Sequence, residues 1–346
     1  MNLNKTICVF FVILLLCGLL PLDAQQLHLP EAAEMELTKT PVFCTPGTPN
    51  KSRGKGLVIQ YGLNGEHFWG PRNGAPDGPN FSEVSRTEHF KAKIKSPFIN
   101  KQSLKLLGGY EYNFERFNFD EFGGERTNIF QSLDGKHLKT NKFTLYMTKS
   151  FNGKYYAVAQ ARASYRGDYN GLNSFDGRYA AYSGALVFGV KPKPYVEWGV
   201  GLSFSTGFNR TRVLPFAVYN KTFNSKWGIE TVLPVSIKGR YNFSRNCIML
   251  FGAEYASNNY SVDLLNDQSI TPAEYHLRHA EIRPEVSLEQ HLFSWIWLNV
   301  KAGYQVPVRT EFLNQENADL SFRGKSGSQP YFRVGLFLSP SDDLMK

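Results

Sequence analysis

The chain has 346 residues, of which 42% are hydrophobic, 14% aromatic and 20% charged, and its formal net charge is +9. A mean hydropathy of -0.33 is too polar for a bundle of membrane helices, and the aromatic content is too high for a disordered chain. The 27 Phe, 18 Tyr and 30 Gly residues are spread along most of the length, which is typical of a β-rich protein.

The first 24 residues predict a cleaved signal peptide. Lys5 precedes an uncharged, mostly apolar run from residue 7 to 22, and Ala24 supplies the small residue at the cut. The sequence therefore predicts a secreted protein. Residues 25–55 lack a clear period, and we expect them to form a loosely ordered N-terminal arm.

Removal of the signal peptide leaves two cysteines, Cys44 and Cys247. Cys247 begins a predicted strand beside a short turn, and the arm that carries Cys44 enters from the same side. An oxidising compartment permits a disulfide between them, which would tie the arm to the rest of the chain. No Cys/His spacing predicts a metal site, and no phosphate-binding loop, GxGxxG or HExxH motif predicts a cofactor.

From Gly56 onward, apolar residues alternate with polar or small ones, which is the side-chain period of a β-strand. Trp198, Val200, Leu202 and Phe204, for example, alternate with glycine and serine. The same period holds in 235–243, 280–289 and 296–309. In a strand the two sets face opposite sides of the sheet.

Two all-β architectures share this pattern. A soluble sandwich uses strands of about 5–6 residues, whereas the alternating segments here run about 10–16 residues, as in a membrane barrel. Short turns also alternate with long polar connections, as at the two rims of a bacterial outer-membrane barrel. The sequence therefore predicts an all-β fold, a transmembrane antiparallel up-and-down β-barrel over residues 56–340, followed by a C-terminal tail at 341–346.

The predicted strand number is about 14, an even number as this class requires. Pro234 decides the count, because without a reversal there 227–243 is one strand and the alternative is 12. The predicted strands lie near 56–63, 89–98, 103–114, 142–151, 155–166, 178–190, 195–208, 212–222, 227–233, 235–243, 248–262, 277–291, 296–310 and 329–339. The predicted long loops are 65–87, 120–138, 167–177, 263–275 and 313–327.

This layout predicts a location in the outer membrane, with both chain termini in the periplasm and the long loops outside. Trp227, Trp295 and Trp297 lie within a few residues of turns on the predicted periplasmic side. Amphipathic rings gather at the membrane–water boundary. We therefore expect these three side chains to form an aromatic girdle.

If the apolar set faces lipid, the polar set faces the lumen. One interpretation is a solute pathway with a basic bias that favours anions; the other is that opposite charges pair and fill the interior. Lys91, Lys93 and Lys95 are the least neutralised stretch and the best candidate for a basic wall. The predicted lumen residues are Lys91, Lys93, Lys95, Lys105, Arg162, Arg166, Lys238, Arg240, Glu254, Glu281, Arg283, Glu285, Lys301, Arg309 and Arg333.

The parity of the turns also predicts the register. A three-residue turn at 99–101 sets Lys95 opposite Lys105. At the next turn, Lys154 joins Asn152 and Gly153, so Phe151 should pair with Tyr155. In the same way, a three-residue turn at 245–247 puts Lys238 directly across from Glu254, and we expect the two charges to pair.

Catalytic signals are sparse. His279 and Glu281 point the same way and could serve in acid–base chemistry, but the sequence has no matching nucleophile motif. We therefore expect no enzymatic activity, and a hydrolase is the least favoured interpretation. A nucleic-acid binder is disfavoured by secretion and by the dispersal of the positive charge.

Three stretches carry a family resemblance: the signal peptide, Val213-Leu-Pro-Phe-Ala-Val-Tyr-Asn220 with Trp227-Gly-Ile-Glu-Thr-Val-Leu-Pro234, and Tyr331-Phe-Arg-Val-Gly-Leu-Phe-Leu-Ser339. With these, the chain resembles a family of uncharacterised outer-membrane β-barrels from Bacteroidetes-type bacteria over roughly residues 55–340. That family has no assigned activity, so the resemblance implies no catalytic residues. The last strand also looks like the signal that is read by the barrel-assembly machinery.

These observations favour a channel for small solutes with a basic lumen. The alternative is a closed structural or interaction barrel that acts through its external loops. The expected partners are outer-membrane lipid, the barrel-assembly machinery during insertion, and small solutes.

Overall fold

A computed structural model describes residues 47–71, 81–101, 103–123, 127–152, 154–171, 176–266 and 269–339. The predicted signal peptide, Cys44 and the tail at 341–346 lie outside these residues. Within the described ranges, no helix is long and apolar enough to cross a membrane.

The described chain forms one antiparallel sheet that closes on itself. Its strands are β1 Leu57–Asn64, β2 His67–Pro71, β3 Ser82–Asn100, β4 Leu104–Glu121, β5 His137–Ser150, β6 Tyr155–Gly167, β7 Ala180–Lys193, β8 Val196–Gly207, β9 Arg210–Thr222, β10 Trp227–Leu233, β11 Ser236–Ser244, β12 Cys247–Asn266, β13 Ser269–Phe293, β14 Ile296–Asn314, β15 Phe322–Ser326 and β16 Gln329–Leu338. One helix, α1 (Thr127–Leu133), lies between β4 and β5, and short 3₁₀ turns occur at Gly177–Tyr179 and Ala318–Leu320.

The barrel has 14 strands, as predicted. It closes where β1 pairs with both β16 and β3. The short strands β2 and β15 pair with each other and extend the wall above β1 and β16 at one rim. The reversal at Pro234 separates β10 from β11, so the alternative of 12 strands is wrong.

The two rims differ. At the rim that holds the start of β1 and the end of β16, called here the turn rim, neighbouring strands are joined by two to four residues. The opposite rim, called here the loop rim, carries α1 and the longer connections, together with two tight reversals. In one of them Phe208 and Asn209 both have positive φ (53° and 55°), the geometry of a two-residue hairpin turn.

The outer face of the barrel is apolar. Trp198, Val200, Leu202 and Phe204 are 46–58% exposed on it, while Glu197, directly before Trp198, is buried inside. The predicted directions of the side chains on this strand are therefore confirmed. An outward apolar surface on a closed barrel of this size is the architecture of a transmembrane β-barrel.

The predicted register holds at one turn and fails at another. Phe151 N–H donates to Tyr155 O at 2.9 Å, so this turn is as predicted. Lys95, however, lies opposite Gly109, and Lys105 opposite Asn100. A bulge between Pro97 and Ile99 and a turn at 101–103 instead of 99–101 shift the pairing, and the shift places Lys93 opposite Glu111.

A second bulge corrects the prediction for Arg309. Ala280 pairs with Arg309 and Glu281 with Pro307, which leaves Val308 as the extra residue of β14. Because one extra residue inverts the direction of every later side chain, Arg309 faces outward. Its side chain is 42% exposed, outside the lumen.

The predicted long loop at 263–275 is mostly strand. The hairpin of β12 and β13 continues to Asn266 and Ser269, so these strands have 20 and 25 residues. Their neighbours β10 and β11 have only 7 and 9 residues. The barrel wall is therefore much taller at β12 and β13 than next to them.

Candidate functional site

An apolar cluster closes the lumen at the loop rim. The cluster contains Trp69, Val84, Phe117, Phe119, Ile129, Phe130, Leu133, Leu138, Tyr260, Val262, Leu264, Ala273, Tyr275, Leu277 and Phe312. Helix α1 contributes its three buried residues, and the tip of the β12–β13 hairpin contributes six. Trp69 lies near the centre of the cluster, with its ring 4.9 Å from that of Phe117.

The β12–β13 hairpin reaches this position because it bends across the barrel mouth. Its Ser261 pairs with Gly167 at the end of β6, a strand from the opposite side of the barrel. Arg178 then holds Asp263 through two hydrogen bonds of 2.8 and 3.0 Å. A bidentate arginine–carboxylate pair is among the stronger polar contacts, so the hairpin is anchored over the mouth.

Below the cluster, the wall formed by β10–β14 carries paired charges; it is called here the paired wall. Lys238 Nζ lies 2.9 Å from both Glu254 and Glu285, and Lys301 Nζ lies 3.1 Å from Glu285. The predicted contact between Lys238 and Glu254 is confirmed. The two residues are diagonal rather than opposite, because Glu254 pairs with Ser236 after a turn shorter than expected.

Arg240, Glu281 and Arg283 on this side are also buried and paired, whereas Arg333 is half-buried and its Nε and Nη2 atoms have no hydrogen-bond partner. Arg283 Nε donates to Glu281 at 2.6 Å, and Arg240 Nη1 donates to Glu230 at 3.2 Å. Arg333 on β16 lies over the ring of Tyr331, 4.8 Å from its centroid. Because an unpaired buried charge is costly, these ion pairs stabilise the charged side chains that the paired wall places in the lumen.

The opposite wall, formed by β3–β6 and called here the basic wall, has a different balance. Lys91, Lys93 and Lys142 share one carboxylate, Glu111, at 3.5, 3.3 and 2.9 Å. The stretch Lys91–Lys95 is thus more neutralised than the sequence indicated. Lys95 lies over the ring of Tyr146 (4.6 Å). Further inward cations of this wall are Lys105, Arg162 and Arg166.

A cavity of about 50 Å³ remains beside Glu111. The charged residues that line it are Lys93, Lys95, Lys142, Arg162 and Glu111. The Arg162 Nε atom is buried and has no hydrogen-bond partner. A space of this size next to several cations can hold a few waters or a small anion.

A segment of the N-terminal arm fills the lumen at the turn rim. Residues 47–55, called here the strap, contact inward side chains of β7, β9, β10, β11 and β13. The backbone N–H and the hydroxyl of Ser52 both donate to Glu230, at 2.8 and 2.6 Å. Lys55 Nζ lies 2.6 Å from Glu289, whose side chain is fully buried. Residues 47–55 of the predicted arm thus make specific contacts with the barrel without forming a helix or strand.

The backbone of the strap is held as well. Lys191, Thr222 and Asn242 donate to the carbonyl oxygens of Gly47, Pro49 and Asn50, respectively. Each donor comes from a different strand, so the strap runs along the inner surface of several neighbouring strands. The sequence contained no periodic signal for this segment, because its contacts are polar and depend on strands far away in the chain.

The aromatic girdle is only partly as predicted. Trp227 and Trp295 are 45% and 44% exposed on the outer face. Trp297 is 2% exposed and stacks on Phe337 inside the barrel, with Ile248 in the same small cluster. Its alternation with Ile296 and Leu298 already indicated an inward direction.

Cys247 is buried at the end of β12 next to the turn rim. Its predicted partner lies outside the described residues, so the disulfide with Cys44 stays a prediction. Among the residues described here, no group of three His, Cys, Asp or Glu side chains could hold a metal ion.

His279 and Glu281 are in contact, as their spacing indicated, with 3.3 Å between Nε2 and Oε2. Each is also engaged elsewhere: the other ring nitrogen of His279 contacts Thr310 Oγ1, and Glu281 accepts from Arg283. The imidazole stacks on Trp69 of the apolar cluster. The pair thus joins the charged layer to the apolar cluster.

Residues 116–339 match the family described as "Domain of unknown function (DUF6268)", and the chain belongs to that family. The resemblance to a family without an assigned activity is thereby confirmed, while its origin in Bacteroidetes-type bacteria stays a prediction. No curated protein matches the chain.

Among solved structures, a FadL homologue from Pseudomonas aeruginosa is similar over 82% of this chain and 90% of its own, with 8% identity and a TM-score of 0.37. The toluene transporter TodX from Pseudomonas putida covers 81% and 89%, with 9% identity and a TM-score of 0.29. The outer membrane protease OmpT from Escherichia coli covers 85% and 100%, with 10% identity and a TM-score of 0.29. Likenesses this distant say nothing about what this chain does.

Proposed function

We propose that the protein is an outer-membrane channel for small anions that is closed in the state described here. The turn rim, with both ends of the barrel, faces the periplasm, and the loop rim faces outward. The basic wall and its cavity carry this proposal. Several cations there share one carboxylate, so the wall attracts an anion without a conformational change.

The strap is the removable part of the closure. Its contacts with the barrel are hydrogen bonds and one ion pair, with cation–π contacts from Arg53 and Lys55 to Trp297 and Phe337. Water can replace such contacts when the segment leaves. The apolar cluster at the other rim would expose many buried side chains on opening, which is far more costly, so the proposed open state requires a passage beside the cluster as well as release of the strap.

The apolar cluster supports a second candidate, a closed barrel that acts through its outer surface. Its packing extends from β2 through α1 to β14 and leaves its central side chains inaccessible. A barrel of this kind conducts no ions, whether or not the strap is present. The proposal includes no hydrolytic role, because His279 and Glu281 are held by structural contacts below the cluster.

Planar-bilayer conductance tests the proposal. We expect the wild type to be closed most of the time, and the double variant S52A K55Q to raise the open probability at least tenfold. The double variant removes the hydroxyl bond to Glu230 and the ion pair to Glu289. The matched control is Lys51→Gln, which makes the same change of charge in the same segment.

Currents that rise in S52A K55Q but not in K51Q support a channel closed by the strap. In a gradient of potassium chloride, the reversal potential of the open state should indicate preference for chloride. If the S52A K55Q variant is correctly folded but shows no current, this result contradicts the proposed channel and favours the closed barrel.

A further inference from the structure

At the loop rim, three arginines surround one carboxylate on the outer face of β13–β15, and two more, on the lumen-side face of β9, lie beside one of the three. The five arginines are Arg210, Arg212, Arg278, Arg309 and Arg323, and the carboxylate is Glu311; together these six residues are called here the arginine notch. None of them is part of the basic wall or the apolar cluster, and none takes part in the lumen ion pairs of the paired wall. With one carboxylate for five guanidinium groups, the notch carries a formal excess of +4 (5 − 1).

The notch exists because two neighbouring strands are short. β10 and β11 end far below β12 and β13, so the taller strands on each side face each other across a gap. The β8–β9 turn reaches across this gap: Arg278 Nη2 donates to Phe208 O at 2.7 Å, and Asn209 Nδ2 donates to Gln315 Oε1 at 2.6 Å. The β9 residues Arg210 and Arg212 therefore lie near Arg278 of β13.

On the other side of the notch, the pairing of β13, β14 and β15 places charged residues side by side. Arg278 of β13 pairs with Glu311 of β14, which pairs with Arg323 of β15. Glu311 Oε1 lies 3.2 Å from Arg309 Nε and 3.4 Å from Arg323 Nε. The bulge at Val308 is what turns Arg309 and Glu311 to this outer face.

Contacts within the protein leave part of this charge unsatisfied. Arg278 is 5% exposed, and its buried Nη1 atom has no hydrogen-bond partner, although it lies 4.0 Å from Glu311 Oε2. Arg210, Arg212 and Arg309 lie near enough to repel it. The side chains of Arg309 and Arg323 are 42% and 64% exposed, so their remaining N–H groups are open to a ligand.

The height of the notch indicates the ligand. On β14 the outward apolar residues end at Val308, directly before Arg309. On β13, Arg278 lies four residues beyond the last exposed apolar residue, Ile282, or about 10 Å higher at ~3.4 Å per residue and a tilt of ~40°. Each polar layer of a bilayer is on the order of 5–8 Å thick, so Arg309 lies within this layer and Arg278 lies near its outer boundary.

We propose that the arginine notch binds a phosphate group of a lipid headgroup in the leaflet at the loop rim. Guanidinium groups bind phosphate with paired hydrogen bonds, and an apolar surface directly below accommodates the acyl chains. Glu311 then has a defined role: it orients Arg309 and Arg323 and at the same time competes with the ligand. The proposal rests on the membrane location under the proposed function, but not on conductance.

Equilibrium binding of a fluorescent phosphatidic acid to the full-length protein in neutral-detergent micelles tests it. We expect R309Q R323Q to bind at least tenfold more weakly than the wild type. Glu311→Gln should bind several-fold more tightly, because it removes the competing charge. The matched control is Arg245→Gln, an exposed arginine at the turn rim, which should bind like the wild type.

Inorganic phosphate serves as the competitor. If inorganic phosphate competes, the site binds the phosphate group itself; if it does not compete, the site requires phosphate on a lipid. Either result supports the proposal, provided that binding requires Arg309 and Arg323. Equal binding by R309Q R323Q and the wild type, with both folded by circular dichroism, overturns it. Weaker binding by E311Q also overturns it. Because micelles carry no current, these results do not depend on whether the lumen conducts.

Discussion

The basic wall and the paired wall face the same lumen but balance their charges differently. The basic wall carries Lys91, Lys93, Lys95, Lys105, Lys142, Arg162 and Arg166 with the carboxylates Glu111 and Glu115. The paired wall carries Lys238, Arg240, Arg283 and Lys301 with Glu230, Glu254, Glu281, Glu285 and Glu289. One wall has an excess of cations, and the other has one carboxylate more than its cations.

The surplus carboxylate explains why the strap lies where it does. Lys55 supplies the ion pair of Glu289, and Ser52 supplies two hydrogen bonds to Glu230. The strap therefore completes the paired wall, while the basic wall keeps its excess. Pairing stabilises the barrel on one side, and the unbalanced charge on the other side is available to a solute.

The largest expected effect comes from breaking the paired wall. Glu285→Leu leaves Lys301 without its nearest carboxylate and removes the partner of the Tyr331 hydroxyl, 2.6 Å away. Removal of one partner from a buried pair costs about 3–5 kcal/mol. Urea unfolding in lipid vesicles, followed by tryptophan fluorescence, measures this loss.

The matched change on the basic wall is Lys91→Met. It removes one of three lysines that share Glu111, so the free energy of unfolding should change by about 1 kcal/mol or less. Adding Lys301→Met to Glu285→Leu should recover part of the stability. If K91M costs as much as E285L, the two walls do not differ in the way described.

The next largest effect is expected from a charge on the outer face of the barrel, which must be apolar where it contacts the membrane. Val200→Arg places a charge on the exposed apolar surface of β8 and should cost about 2–4 kcal/mol near the bilayer midplane. Ser203→Arg, which points to the lumen on the same strand, should cost much less. Equal losses of unfolding free energy would contradict the assignment of the faces.

The smallest effect concerns the basic wall alone. In the S52A K55Q background, Glu111→Gln removes the carboxylate that three lysines share, so the reversal potential should move further toward that of chloride. Glu88→Gln makes the same change on the outer face of β3 and should leave the reversal potential unchanged. A shift toward potassium in E111Q would exclude the basic wall as the selective element.

The sequence by itself determined the strand number, the two faces and most of the lumen residues. The reason is that side chains alternate with a period of two, so each strand reports its own buried face without reference to its neighbours. Val200 and Glu197 show this on β8, whereas the alternation left the reversal at Pro234 open, and the separation of β10 from β11 decided it. The predicted pair of Lys238 and Glu254 was found in contact despite a wrong turn length, because long side chains reach diagonal neighbours.

Only the tertiary structure decided which charges meet and what closes the lumen. One extra residue at Val308 moved Arg309 out of the lumen, and the bulge near Pro97 together with the shifted turn placed Gly109 instead of Lys105 opposite Lys95 and placed Glu111 opposite Lys93. The strap and the β12–β13 hairpin pack against strands that lie far away in the chain, and no local period records such contacts. Alternation therefore specifies the direction of each side chain, whereas register shifts and long-range packing specify its partners.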